Sequence, residues 1–329
     1  MEASATRPRP GSFRPISPVP CRRRGRRISG GPRGRSAGFT LVEMLAVVVI
    51  IGILAGLITA AAVRARVAAR RAAMMTELRD LEMAINTYKN EMGDYPPDFT
   101  DLAAVQRHLA TAFPGFTFDA NFVQSAFGNR NVFNPSSALV FWLGGIPDSN
   151  NIPSGFSANP RNPFEPPVAN QATGRKGPYF DFDTSRLYNA GTCTINLSQY
   201  GVQFQFPVFQ YYAKGLPLGS APTGYGPFVY FRARSTGGYD PYNANQQMQQ
   251  VWPPLSFNQQ ERIRPCLDTR APQTPNPVFV NPKTFQIRCP GPDGRFGSGV
   301  RWPTGEDYDP PQYDDMGNFG EGTFGDMIP

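Results

Sequence analysis

The chain has 329 residues, 17% of them charged, and a formal net charge of +7. That length suits one or two domains with a core of their own. The positive charge is local: residues 1–38 carry ten arginines against one acid, Glu2, whereas the remainder carries 22 basic and 24 acidic side chains. A basic body shaped to bind nucleic acid is thereby excluded, and no nucleic-acid partner is expected.

Met44 to Val63 is a run of 20 residues without charge or proline. As a helix it is about 30 Å long, the thickness of one hydrocarbon core. A cleaved secretory signal has an apolar region of about 7–15 residues and a small-residue cleavage site behind it. Here Arg64, Arg66, Arg70 and Arg71 follow instead. The pattern predicts a retained, single-pass transmembrane helix. The arginine-rich arm ahead of it predicts a cytoplasmic leader, with the C-terminal bulk across the membrane.

Glu43 stands at the edge of that span, where a carboxylate is costly. It could snorkel to the interface. Alternatively it could pair with a cation: a cut after Gly38 would free the amine of Phe39, which could meet Glu43 of its own chain or of a neighbour. In a low-dielectric setting such a pair would register one subunit against the next.

The stretch "GFTLVEMLAVVVIIGILAGL" (Gly38–Leu57) closely resembles the class III signal of type IV pilins and type II secretion pseudopilins. The resemblance implies cleavage after Gly38 by a prepilin peptidase, methylation of Phe39, and assembly guided by Glu43. It also implies homo-oligomers, contact with other pilin-like subunits and an inner-membrane assembly platform, and storage in membrane lipid. The implied location is the bacterial inner membrane, with a periplasmic C-terminal domain and a filament after assembly. Two departures stand out. The leader is far longer than most in the family, and "TAAA" (Thr59–Ala62) occupies the end of the span, where pseudopilins often carry a proline. Gly52 and Gly56 form a G-x-x-x-G, a spacing that permits close helix packing.

The helix is expected to continue past the membrane. Leu78, Leu81, Ile85, Tyr88 and Met92 recur at spacings of 3, 4, 3 and 4, one apolar stripe. Glu77, Arg79, Asp80, Glu82, Asn86, Lys89 and Asn90 fall on its other faces, and Gly93 is a C-terminal stop before "DYPP". The stretch "TELRDLEMAINTYKNEMGDYPPD" (Thr76–Asp98) looks like the major pseudopilin's passage from helix to loop. The expected domains are therefore a cleaved leader (1–38), a membrane or filament-core half-helix (39–63), an amphipathic half-helix (64–92) and a globular pilin-like domain (93–329).

Residues 96–329 hold 29 prolines and 24 glycines, yet their aromatic content argues for a packed fold. Strands are predicted at Val202–Tyr212, Phe228–Arg234 and Thr284–Arg288, and helical pieces around Asp101–Ala112 and Ser136–Leu143. The fold class is α+β: a long N-terminal helix packed on a small antiparallel sheet with large loop insertions.

Catalytic motifs are thin, and an enzyme is not expected. The single histidine, His108, is placed on a helix surface or core edge. No G-x-S-x-G, H-E-x-x-H or Walker loop occurs. A glycosidase pair could be drawn only from Asp181, Asp183, Asp240 and Asp268, which the sequence does not bring together. Cys193, Cys266 and Cys289 lack zinc spacing; an external compartment would permit one disulfide among them, of unknown pairing. "GPDGRFGSG" (Gly291–Gly299) resembles the segment near the end of major pseudopilins where the family's loop binds calcium. Asp293, Asp307, Asp309, Asp314 and Asp315 are the candidate calcium ligands, hard oxygens on a pliable backbone. Read without metal, the same stretch is a solvated acidic tail. Two functions follow: a structural subunit of a type II secretion pseudopilus or type IV pilus-like filament, or a membrane-tethered ligand-binding or enzymatic domain that uses a prepilin-type export signal.

Overall fold

The computed structural model describes residues 38–119, 121–167, 174–197, 201–213, 225–239, 263–272, 277–297 and 299–329. The arginine-rich leader and Asp240 lie outside them. The chain divides into two units, Met1–Leu57 and Ile58–Pro329.

Helix α1 runs Leu41–Met92, 52 residues without a break. No proline interrupts it, and Ala, Leu, Met, Glu and Arg dominate its sequence, all good helix formers. From Phe39 to Arg70 every side chain is exposed. From Met74 onward one stripe is buried, with Leu78, Leu81, Ile85 and Tyr88 fully covered and Met92 nearly so. Met74, Met75 and Ala84 widen the stripe beyond the five predicted residues. Gly93 ends the helix at φ +84°, a conformation that suits glycine, and its N–H bonds the Lys89 carbonyl at 2.8 Å.

Within the second unit the stripe is part of the core and not a separate element. Helix α2 (Leu102–Ala112) is capped by Asp101, whose side chain accepts from the Ala103 N–H, and α3 (Phe122–Phe127) follows. The predicted helical piece near Ser136–Leu143 becomes a buried π-type turn, Val140–Gly144. It delivers Phe141 and Trp142 into an aromatic cluster with Phe99, Phe127, Phe133, Phe156 and Phe164. Such edge-to-face ring pairs add about 0.5–1.5 kcal/mol each beyond area burial.

The strands are β1 (Phe156–Ser157), β2 (Arg175–Lys176), β3 (Leu187–Leu197), β4 (Val202–Tyr211), β5 (Val229–Arg232), β6 (Leu267–Asp268), β7 (Phe285–Cys289), β8 (Arg301–Trp302) and β9 (Met316–Gly317). Antiparallel pairing joins β3 to β4 and orders β5, β7 and β9 into a three-stranded sheet; β6 and β8 pair in parallel. The three predicted strands correspond to β4, β5 and β7. The sequence reading lacked β3, the longest strand. Its register with β4 shifts between Asn189 and Gly191, and only its second half alternates buried with exposed residues. The α+β class holds.

Candidate functional site: the N-terminal segment of the long helix

Thr40 and Glu43 form a reciprocal capping box. The Thr40 carbonyl accepts the first helical bond, from the Met44 N–H at 3.2 Å. The Thr40 hydroxyl accepts from the Glu43 N–H at 3.2 Å, while a Glu43 carboxylate oxygen receives the Thr40 N–H and hydroxyl, both at 2.8 Å. Two otherwise orphaned donors at the start of α1 are thereby satisfied, and the acid lies at the positive end of the helix dipole. The spacing T-x-x-E ahead of an apolar run is a sequence signal for this box, and the sequence reading missed it. Gly38 and Phe39 lie just before the box; Phe39 is exposed. Gly38 thus stands three residues ahead of Leu41, the first helical residue, and outside the helix.

The apolar run behind the box presents Leu41, Val42, Leu45, Val48, Ile51, Leu54 and Leu57 to the outside, none of them buried. This helix is the one helix among the described residues long and apolar enough to cross a membrane. Gly52 and Gly56 have open space where a Cβ would point.

The other half of α1 is fixed by charge as well as packing. Glu77, predicted to face away from the core, takes a two-pronged bond from Arg186 at 2.6 and 2.7 Å and the Tyr211 hydroxyl at 2.7 Å. The helix end is held by Asp94, which accepts both bonds from Arg232 at 2.7 and 2.8 Å. Burial works against the Asp94 charge, but His108 and Arg232 beside it outweigh that and hold its pKa below the usual carboxylate value.

His108 is fully buried, which corrects the surface or core-edge placement. Its Nε2 shares a 2.8 Å hydrogen bond with the Tyr88 hydroxyl, and its Nδ1 lies 3.8 Å from Asp94. Desolvation pushes its pKa below 6.5, so the ring is neutral near neutral pH. Of the acids considered for a glycosidase pair, Asp183 accepts from the Ser185 N–H and hydroxyl and Asp268 clasps Arg270, while Asp240 lies outside the described residues.

The five expected calcium ligands do not form one cage. Among the described residues no three His, Cys, Asp or Glu side chains are grouped so as to hold a metal ion. Several of the carboxylates bond the tail's own backbone and side chains. Asp307 accepts from the Val300 and Arg301 N–H groups, and Asp293 from the Arg295 N–H. Asp314 accepts from the Asp293 N–H at 2.9 Å. Asp309 stands ahead of the 3-10 turn Pro310–Asp314. Asp315 is fully buried against an equally buried Arg288 at 2.7 Å. The tail is therefore packed and not solvated: Met316 and Phe324 lie in its cores. Gln312 Oε1, Asp314 Oδ1 and Asp315 Oδ1 are buried without a hydrogen-bond donor. Burial accordingly pushes Asp314 up to about 6 and Asp315 well above its ordinary value, against the pull of Arg288 on the latter.

Cys193, Cys266 and Cys289 are buried free thiols, and none is joined to another. Desolvation raises the pKa of each, that of Cys266 to about 11, which makes them inert packing residues.

A capped helix with a fully exposed apolar first half and a second half packed into a small α+β body fits a pilin-type protein. Comparison with known proteins agrees: the family described as the prokaryotic N-terminal methylation motif matches residues 33–59. With the long apolar helix, this match fits a membrane-anchored protein of the pilin or pseudopilin type, processed by a prepilin peptidase. None of the curated proteins and none of the solved structures matches the chain.

Proposed function

We propose that this chain is a structural subunit of a type II secretion pseudopilus or type IV pilus-like filament. It is held in the inner membrane with its body in the periplasm and then assembled through α1. One observation carries the reading: the methylation motif opens a helix whose first 30 residues bury nothing of their own. At about 25 cal/mol per Å² of apolar surface, such a helix in water is strongly unfavourable, so it needs lipid or neighbouring helices. Both are available to a subunit that passes from bilayer to filament.

Cleavage after Gly38 removes the residues ahead of Phe39 and leaves a cationic amine next to the Thr40–Glu43 box. Glu43 can then exchange its Thr40 bonds for an ammonium partner on an adjacent subunit. A non-enzymatic role is supported by the buried position of His108. The Tyr88–His108–Asp94 chain resembles a catalytic relay in composition, yet the Tyr88 hydroxyl is sealed in the core.

Expression of the full chain with a prepilin peptidase and a filament assembly system tests the proposal. Subunits should appear in sheared filaments, and Glu43→Ala should lower that yield at least about tenfold while the membrane-bound pool persists. Undiminished incorporation of the variant would remove Glu43 from assembly; absence of the parent chain from filaments would remove the proposal.

A further inference from the structure

A groove of about 730 Å³ runs between the second half of α1 and the C-terminal tail. Its floor on the helix is apolar, with Val63, Val67, Ala68 and Met75. Arg64, Arg71 and Arg79 line the same helical face, at spacings of seven and eight residues, and Glu321, Thr323 and Asp326 form the opposite wall.

Two features give the groove an occupant. Val63 is both the last residue of the uncharged run and a lining residue, so the groove opens where the hydrocarbon core ends. One of its guanidinium groups is under-used as well. Arg71 Nε has no acceptor in the protein, and Arg71 reaches Asp326 only at 3.7 Å, while Asp326 is already bonded to the Thr323 N–H and hydroxyl. An apolar track leading into two arginines at headgroup depth matches a lipid tail leading into a phosphate.

We propose that this groove seats one glycerophospholipid, its phosphodiester on Arg64 and Arg71 and an acyl chain along Val63 and Val67. The inference rests on the membrane-anchored reading above. A bound lipid would cover the apolar floor while the subunit waits in the bilayer, and would have to leave if a neighbouring subunit packs there in a filament.

The test uses the full chain, purified in mild detergent and offered phosphatidylglycerol or a diacylglycerol of the same chains, with retained lipid read by native mass spectrometry. One phosphatidylglycerol per chain should be retained, and diacylglycerol should be lost. The double variant R64Q/R71Q should lower retention about tenfold or more, and R64K/R71K should retain an intermediate fraction. R66Q removes an exposed arginine that does not line the groove and should leave retention unchanged. Melting of the variants within about 1 °C of the parent would show that the body is intact. Equal retention of diacylglycerol would overturn the proposal, as would an R66Q loss as large as the double variant's, or a lipid-free dimer that R64Q/R71Q dissociates. A chain that enters membranes but retains no phospholipid breaks this inference alone; a chain that fails to enter membranes breaks the reading beneath it as well.

Discussion

The two halves of α1 obey the same helix geometry and solve opposite problems. Between Leu41 and Arg70 no side chain is buried, and the apolar residues run all round the helix. Between Met74 and Met92 the apolar residues, Met83 apart, fall on one stripe, and that stripe is buried. The first half buries no side chain, so its apolar surface is conditional on lipid or other chains. The second half carries its own partners: a core beneath the stripe, and Arg186 and Tyr211 clasping Glu77. A periodicity of 3.6 thus marks a helix that belongs to its own fold, and a loss of periodicity marks one that belongs to a membrane or an assembly.

The contrast breaks most sharply when charge enters the first half. Ile53→Arg with Leu54→Arg places two guanidinium groups near the middle of the run, at about 2.5–3.5 kcal/mol each. Membrane fractionation should show the chain lost from the bilayer, with the melting of the body unchanged. A parallel fall in melting temperature would mean that the two halves are not independent.

The converse variant is Leu81→Ala, which empties a fully buried site on the stripe. Its expected cost is about 3 kcal/mol, read from denaturant unfolding of the body, with membrane insertion unaffected. A cost below about 1 kcal/mol would mean that the stripe is not core.

A smaller effect concerns pH. His108 is held neutral below 6.5, so the unfolded chain takes up a proton that the folded one refuses as pH falls below about 6.5. Its contribution is present above that value and is lost on the acid side. Asp314, pushed up to about 6, has the opposite sign: its contribution is full below about 3.8 and is lost as pH rises through about 6. His108→Gln should therefore flatten the drop in melting temperature between pH 7 and pH 5, while Asp314→Asn should steepen it. An unchanged slope in both variants would contradict these assignments.

The smallest expected effect is that of calcium. With no three of its candidate ligands grouped, saturating calcium or a chelator should move the melting temperature by less than about 1 °C. A shift of several degrees would restore a metal to the tail.

What the sequence revealed followed the range of each signal. The stripe, the Gly93 stop, the helix near Asp101–Ala112 and strands β4, β5 and β7 are written in near neighbours, and each was found within a residue or two. Strand β3 was hidden because Gly191 and the register shift beside it interrupt its alternation. Glu77 and His108 were misplaced for a different reason. A charge or an imidazole on a helix reads as exposed unless its partner is known, and Arg186 lies 109 residues from Glu77. The burial of the acidic tail was missed by the same limitation: Asp315 has Arg288 and the Gly297 N–H for partners, both distant in the sequence. The T-x-x-E box, by contrast, was legible locally. The membrane run after it drew the argument about Glu43 toward charge and away from the helix start.

The central claim is that this helix becomes free to join other chains only after the residues preceding Phe39 are removed. The direct test is the amino-terminal sequence and mass of the chain purified from membranes containing a prepilin peptidase. The account predicts a single start at Phe39 bearing one methyl group; a chain that keeps Gly38, or begins anywhere else, contradicts it.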